Sequence, residues 1–293
     1  MAYFVEQLGN GLSLGCIYAL IALGFAMVYG VLKFLNFAHS EVFTAGTFIA
    51  YFTLRALIPR MGEWPLLVLC LTLAAAGAGA GVIALLLERV AYRPLRGGSP
   101  MTALLSAIGV SILLQNVGIH LFSAHTRGFP ALNLPIGPRT FAVMMLAVSL
   151  VVLHTIVYRT DIGIRMRAVA EKAETAILMG IAPNRVIATV FFLGGMFAGV
   201  AGVVWGTVYG TVHPQMGFHP GLKAFVIAVV GSIGHVMGTF IIGIALGVIE
   251  ALFNAYLPAS VSGYRDTLVF GTLLVTLALR PQGIFGKPGP SKV

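Results

Sequence analysis

Residues 158–185 read YRTDIGIRMRAVAEKAETAILMGIAPNR and carry Arg159, Asp161, Arg165, Arg167, Glu171, Lys172, Glu174 and Arg185, eight charges in a chain with only 18 basic and 9 acidic residues. The sequence on either side, 140–158 and 186–222, contains no Asp, Glu, Lys or Arg. A bilayer core needs roughly 20 apolar residues to cross as a helix. A hydrophilic segment between two such windows is a loop joining membrane spans, so the chain reads as an all-α, polytopic integral membrane bundle. Within the segment, Ala168, Ala170, Ala173, Ala176, Ile177 and Leu178 favour helix, Glu171 and Glu174 sit early, and Gly180 followed by Pro183 ends it. Two readings stay open at this point. The segment is a solvated loop whose arginines only fix orientation, or it is a short helix held out as a handle for a soluble partner.

Working outward, further charge-free windows lie at 7–32, 64–87, 97–125 and 224–249. Charged residues make up 9% of the chain and apolar residues 58%, against about 25% charged in a soluble domain. Alternating strands of about 10 residues, the mark of an outer-membrane barrel, are absent. The net charge of +9 flanks the spans, where it sets orientation and meets anionic lipid, so nucleic acid is not a partner. Cys16 and Cys70 both fall in apolar windows, which implies neither a disulfide framework nor a metal site. No Lys or Arg precedes Lys33, and the first apolar stretch exceeds an h-region, so a cleaved signal peptide is not expected.

The windows give spans near 8–31, 37 onward, 64–87, 101–122, 140–158 and 186–208. They continue with a half-helix from 223, a glycine-rich break at 231–238, a span at 239–257 and a short last span at 267–279. That is about eight spans plus a half-helix. Basic loops place 88–100, 158–185 and the tail in the cytoplasm and 123–139 and 209–221 outside. Asn36, His39 and Glu41 form a polar cluster between two apolar runs; Asn36 suits a helix N-cap and Glu41 the positive first turn. This cluster is a plain interfacial cap or a helix start facing a solute path. Gln115 and Asn116 in the fourth span are helix glue or path-lining amides. Gly231 and Gly234, in the break, complete the candidate path.

The chain lacks the groups that would let it drive transport alone. The only Gly-Lys pair, at 286–287, has no upstream glycine and precedes Pro288, so there is no phosphate-binding loop. Glu41 and Glu250 are the only carboxylates inside apolar stretches, too few for a proton relay, and no potassium-type filter occurs. No span assembles a nucleophile, base and acid, so an intramembrane enzyme is not supported. Uphill transport would therefore draw on a separate ATPase, which makes 158–185 its docking segment.

Four stretches carry a family resemblance: GLSLGCIYALIALGFAMVYGVLKFLNFAHSEVFTAG (11–46), ERVAYRPLRGGSPMTALLSAIGVSILLQN (88–116), RAVAEKAETAILMGIAPNRVI (167–187) and GLKAFVIAVVGSIGHVMGTFIIGIALGVIEAL (221–252). With the ending YRDTLVFGTLLVTLALRPQGIFGK they cover nearly the whole chain, which resembles the permeases of bacterial branched-chain amino acid ABC importers. Ser40 departs from the glycine of that pattern. The resemblance implies a single permease domain, 1–293, arranged as in type II importers of the inner membrane. It implies a second permease subunit (homologous or identical), two ATPase subunits and a periplasmic binding protein as partners, and neither cofactor nor metal. It also implies that Arg165, Arg167, Ala170, Glu171, Glu174, Leu178, Gly180 and Arg185 belong to the ATPase-coupling helix. The alternatives are the same machine carrying urea, short-chain amides or small organic acids and, more remotely, an ion-driven carrier.

Overall fold

The computed structural model describes residues 2–33, 36–96, 98–232, 235–258, 264–280 and 283–286. Eleven α-helices follow in order among them: α1 Ala2–Leu32, α2 His39–Met61, α3 Pro65–Leu87, α4 Pro100–Phe122, α5 Pro138–Arg159, α6 Asp161–Glu171, α7 Ala173–Leu178, α8 Pro183–Tyr209, α9 Phe218–Val230, α10 Val236–Tyr256 and α11 Arg265–Leu279. A π-helical turn, Glu88–Tyr92, and a 3-10 turn, Arg93–Leu95, prolong α3. Pro65, Pro100, Pro138 and Pro183 stand in the first turns of their helices, where the missing N–H costs nothing. Two-residue strands β1 (Arg127–Gly128) and β2 (Thr211–Val212) pair antiparallel.

Seven helices, α1 to α5, α8 and α10, are long and apolar enough to cross a bilayer. The half-helix expected from 223 is α9, 13 residues long and starting five residues earlier, at Phe218. The expected last span, α11, has 15 residues, about 22 Å at 1.5 Å per residue, which falls short of a core about 30 Å thick. The full-length spans therefore number one fewer than the sequence windows suggest.

Two glycine seams hold the bundle. On α1, a Cβ at Gly11 would lie 2.7 Å from Val248 Cα and 3.0 Å from Ala251 Cβ of α10. On α8, a Cβ at Gly195 would lie 2.9 Å from Gly81 Cα and 2.6 Å from Ala84 Cβ of α3. One turn on, Gly15 faces the Gly243 carbonyl as Gly199 faces the Ala76 carbonyl. The seams share one register, so α1, α2 and α3 correspond to α8, α9 and α10 as an inverted pair of three-helix units. Each unit begins with a long helix and ends with one that packs on the other unit's first helix. The units cross where Gly24 and Gly194 each meet the other's carbonyl oxygen, at 2.8 and 3.1 Å from the added Cβ.

The middle helix of each unit starts inside the bundle. α1 runs on to Leu32, yet the first residue of α2, His39, packs back against Gly24, about 12 Å up α1. α9 follows the β2 segment, and Gly217 and Gly221 press directly on Ser40. Two interrupted segments, entering from opposite ends, thus meet at the start of α2.

The seams give a direct test. A Cβ on Gly199 overlaps the Ala76 carbonyl, whereas one on Gly109 of α4 meets nothing within 4 Å. Gly199→Val is expected to lower stability by about 1–3 kcal/mol and Gly109→Ala to be neutral or stabilising by up to about 1 kcal/mol. Thermal unfolding in one detergent reads both, and equal midpoints would remove the seam from the account.

Candidate functional site

The interior site begins at the start of α2. Its N-cap position, Ala38, already has helical backbone angles (φ −68°, ψ −6°), and no side chain caps it. Asn36, expected as the cap, is two residues too early for that role. Its carbonyl accepts from the His39 N–H at 3.1 Å, and its Oδ1 accepts from the Tyr92 hydroxyl at 2.7 Å. It thereby fastens the entrance of α2 to the π-helical turn after α3.

Glu41 is 4% exposed, and a buried carboxylate needs donors. Gln115 Nε2 donates to Oε1 at 3.0 Å and Ser111 Oγ lies 3.3 Å from the same oxygen, both reaching across from α4. Ser40 Oγ is also 3.3 Å away but donates to the Phe37 carbonyl at 2.7 Å, the shorter bond claiming its one proton. Beside this cluster opens a cavity of about 490 Å³. Ser40, Ser111 and Gln115 form its polar edge, Phe25, Phe37 and Phe218 its aromatic wall, and Ile108, Ile112 and Leu222 its aliphatic wall. An apolar chamber with one polar edge backed by a carboxylate suits a small solute that has both an aliphatic part and a positive group.

Not every residue expected on the path lines this cavity. Asn116 sits on the exposed side of α4 and donates to the Ile112 carbonyl at 2.8 Å, so the amide bonds back to its own helix. His39 is buried edge-to-face against Phe25, ring centroids 4.7 Å apart, and packs on Gly24 away from the cavity lining. Gly231 closes the turn after α9 against Gly238 and Thr239, where any side chain would collide; Gly234 lies outside the described residues.

At one end of the bundle the charged segment forms two helices instead of the single one expected. Lys172 is extended (φ −155°, ψ 106°), its N–H closing α6 on the Ala168 carbonyl while its carbonyl accepts from Ala176 to open α7. Thr160 caps α6 by accepting from the Gly163 N–H at 3.3 Å. Met166, Val169 and Ala176 are buried, Ala170 is half-buried, and Arg165, Arg167, Glu171, Glu174, Gly180 and Arg185 are exposed. Arg167 donates to the Val157 carbonyl and lies over the Tyr158 ring, 5.8 Å from its centroid. Leu178 and Met179 are 84% and 78% exposed, an apolar tip where α7 turns at Gly180 (φ 76°). Close by, buried Glu88 pairs with Arg96, whose Nη1 donates to Asn184 Oδ1 at 2.7 Å. That clasp ties the start of α8 to the turn after α3. Burial pushes the Arg96 guanidinium below its ordinary range, and the adjacent Glu88 carboxylate pushes it back up.

One cluster escaped sequence reasoning. Lys223 Nζ lies 2.6 Å from Glu250 Oε1 and 3.0 Å from Asp266 Oδ1. The available signal was a lone Lys and a lone Glu interrupting one long apolar run, 27 residues apart, a spacing that does not pair them. Among the described residues no group of three or more His, Cys, Asp or Glu could hold a metal.

Comparison with known proteins matches residues 7–278 to a family described as the branched-chain amino acid transport system permease component. The chain is 40% identical to the high-affinity branched-chain amino acid transport system permease protein LivH of Escherichia coli, over 99% of this chain and 98% of that one. It is 37% identical to the corresponding protein BraD of Pseudomonas aeruginosa, with the same coverage. A weaker match, 26% over 51% of this chain and 34% of the relative, is to the E. coli permease protein LivM. No solved structure matches.

The meeting of α2 and α9 predicts a suppressor pair. A Cβ on Gly221 would overlap the Ser40 Cβ. Gly221→Ala alone is expected to cost about 1–3 kcal/mol, and Ser40→Gly in the same chain to restore most of it. A double-mutant cycle on thermal unfolding measures the coupling; additive effects would show that the two positions do not touch.

Proposed function

The chain belongs to the branched-chain amino acid transport system permease family, and we propose that it is the membrane-spanning permease subunit of an ATP-driven importer in the bacterial inner membrane. In this reading residues 1–293 form one permease domain that passes branched-chain or other neutral amino acids delivered by a periplasmic binding protein. The observation that carries it is 40% identity along 99% of the chain to a permease named for that transport. The weaker similarity to LivM supports a second permease subunit alongside this one. Two ATPase subunits complete the assembly, because the chain has no phosphate-binding loop of its own.

Residues 158–185 face the cytoplasm and couple to an ATPase through α6 and α7. Support comes from the exposed Leu178 and Met179, which suit an anchor in an apolar groove, set among the exposed charges of Arg165, Glu171, Glu174 and Arg185. The solute path runs by the cavity between α1, α2, α4 and α9. Its aromatic and aliphatic walls fit a branched side chain better than urea or an amide, and Glu41 with its donors forms the edge for the ammonium and carboxylate groups.

Two variants test this in the assembled importer, reading leucine uptake per inserted molecule. Leu178→Glu is expected to lower uptake about tenfold or more, the ~1.4 kcal/mol or greater loss typical of a central interface anchor, with insertion unchanged. Glu41→Gln keeps the shape but removes the charge, and is expected to reduce uptake while sparing basal ATP hydrolysis. Native uptake in Leu178→Glu would remove the docking role; native uptake in Glu41→Gln would leave the cluster as scaffold.

A further inference from the structure

The half-helix α9 has two working faces. One, with Phe218, Gly221 and Leu222, walls the cavity. The other presents Lys223, whose side chain is 5% exposed. Its ammonium lies 2.6 Å from Glu250 on α10, 3.0 Å from Asp266 on α11 and 3.4 Å from the Tyr18 hydroxyl on α1, with the Tyr18 ring centroid 5.6 Å away. α9 packs on all three of these helices, and the polar group each one offers is gathered on one side chain.

The inverted pair of units shows that packing does not require these charges. In the shared register Glu250 stands three residues beyond Gly247, and Ile83 stands three beyond Ala80. Tyr18 follows Gly11 by seven residues, as Gly202 follows Gly195. The same two places in the other seam are therefore filled by an isoleucine and a glycine, and that seam closes equally well. Burying ions in a membrane interior is costly, and replacing such a pair with apolar residues is commonly neutral or stabilising. The cluster calls for a reason beyond cohesion. A helix of 13 residues that starts inside the bundle and ends in a glycine turn has little to fix its sideways position except what its faces hold.

We infer that Lys223 is a positioning residue of the transport path: clamped by Glu250 and Asp266, it fixes α9 and with it the Phe218, Gly221 and Leu222 wall of the cavity. The two carboxylates stand on different helices, so the ammonium keeps a counter-charge as α9 shifts toward either. The inference rests on the importer reading above.

The test is the number of ATP molecules hydrolysed per leucine imported, in the complete importer in lipid vesicles, with the amount of inserted chain measured separately. A displaced wall wastes hydrolysis cycles, whereas a merely structural loss lowers import and hydrolysis together. Lys223→Met and Glu250→Gln are each expected to raise the ratio about fivefold or more, since a shift on the order of an ångström at a positioned site is costly. Lys223→Arg, which keeps the charge, is expected to stay within about twofold of native by the same argument. Inserted Lys223→Met with the native ratio would overturn the inference. If that variant does not insert, Asp266→Asn decides, because it removes only the partly exposed carboxylate (41%) and leaves the Lys223–Glu250 pair. A ratio about doubled supports the clamp, and a native ratio overturns it. Failure of the unaltered assembly to import leucine on ATP hydrolysis would instead defeat the importer reading, and the inference with it.

Discussion

The contact on which the rest of the structure depends is the crossing of α1 and α8 at Gly24 and Gly194. Inside a bilayer, lipid chains are as apolar as leucine, so helices associate through close van der Waals contact and not through exclusion of water. Approach at carbonyl distance is open only to residues without a side chain. Once those two helices cross so closely, Gly11 and Gly15 can seat α10, and Gly195 and Gly199 can seat α3. The two units are then locked as one body. The position of Ser40 against Gly217 and Gly221 follows from it, because α2 and α9 each pack on the first helix of the other unit.

That close packing is also what makes the interior polar groups affordable. Glu41, Asn36 and Lys223 are each less than 5% exposed, and each has a partner on a different helix: Gln115 on α4, Tyr92 after α3, Glu250 on α10. An unpaired charge at such depth would shift the helices or stay neutral. Pairing across helices converts the cost of burial into geometric definition. Where two such pairs flank the same half-helix, one face of α9 looks on the cavity and the other on the partners of Lys223.

The sequence made the bilayer-scale features legible because they follow from composition over long windows. Charge-free runs located the spans, and Gly180 with Pro183 located the end of the charged segment. The glycines of α1 and α8 stand plainly in the sequence, but the partners they press against do not. Local geometry was less accessible. Asn36 has the chemistry of a cap, but the helix starts two residues later than that would place it, and Tyr92, 56 residues away, claims its side chain. Gln115 and Asn116 are adjacent in sequence yet lie about 100° apart around a helix, so one reaches Glu41 and the other only its own backbone. The pairing of Lys223 with Glu250 escaped notice because a lone charge in or beside an apolar run does not name its partner.

The helix carrying Ser111 and Gln115 is fastened mainly at its ends. At one end the Glu88, Arg96 and Asn184 clasp holds the turn that precedes it. At the other, Phe122 stacks on Phe48 at 4.2 Å, and the two-residue ladder of Arg127 with Val212 pins the segment beyond. Only a small share of its surface is covered by the protein along its middle. It stands as a beam pinned at both supports, so the width of the chamber beneath it follows the stiffness of one helix.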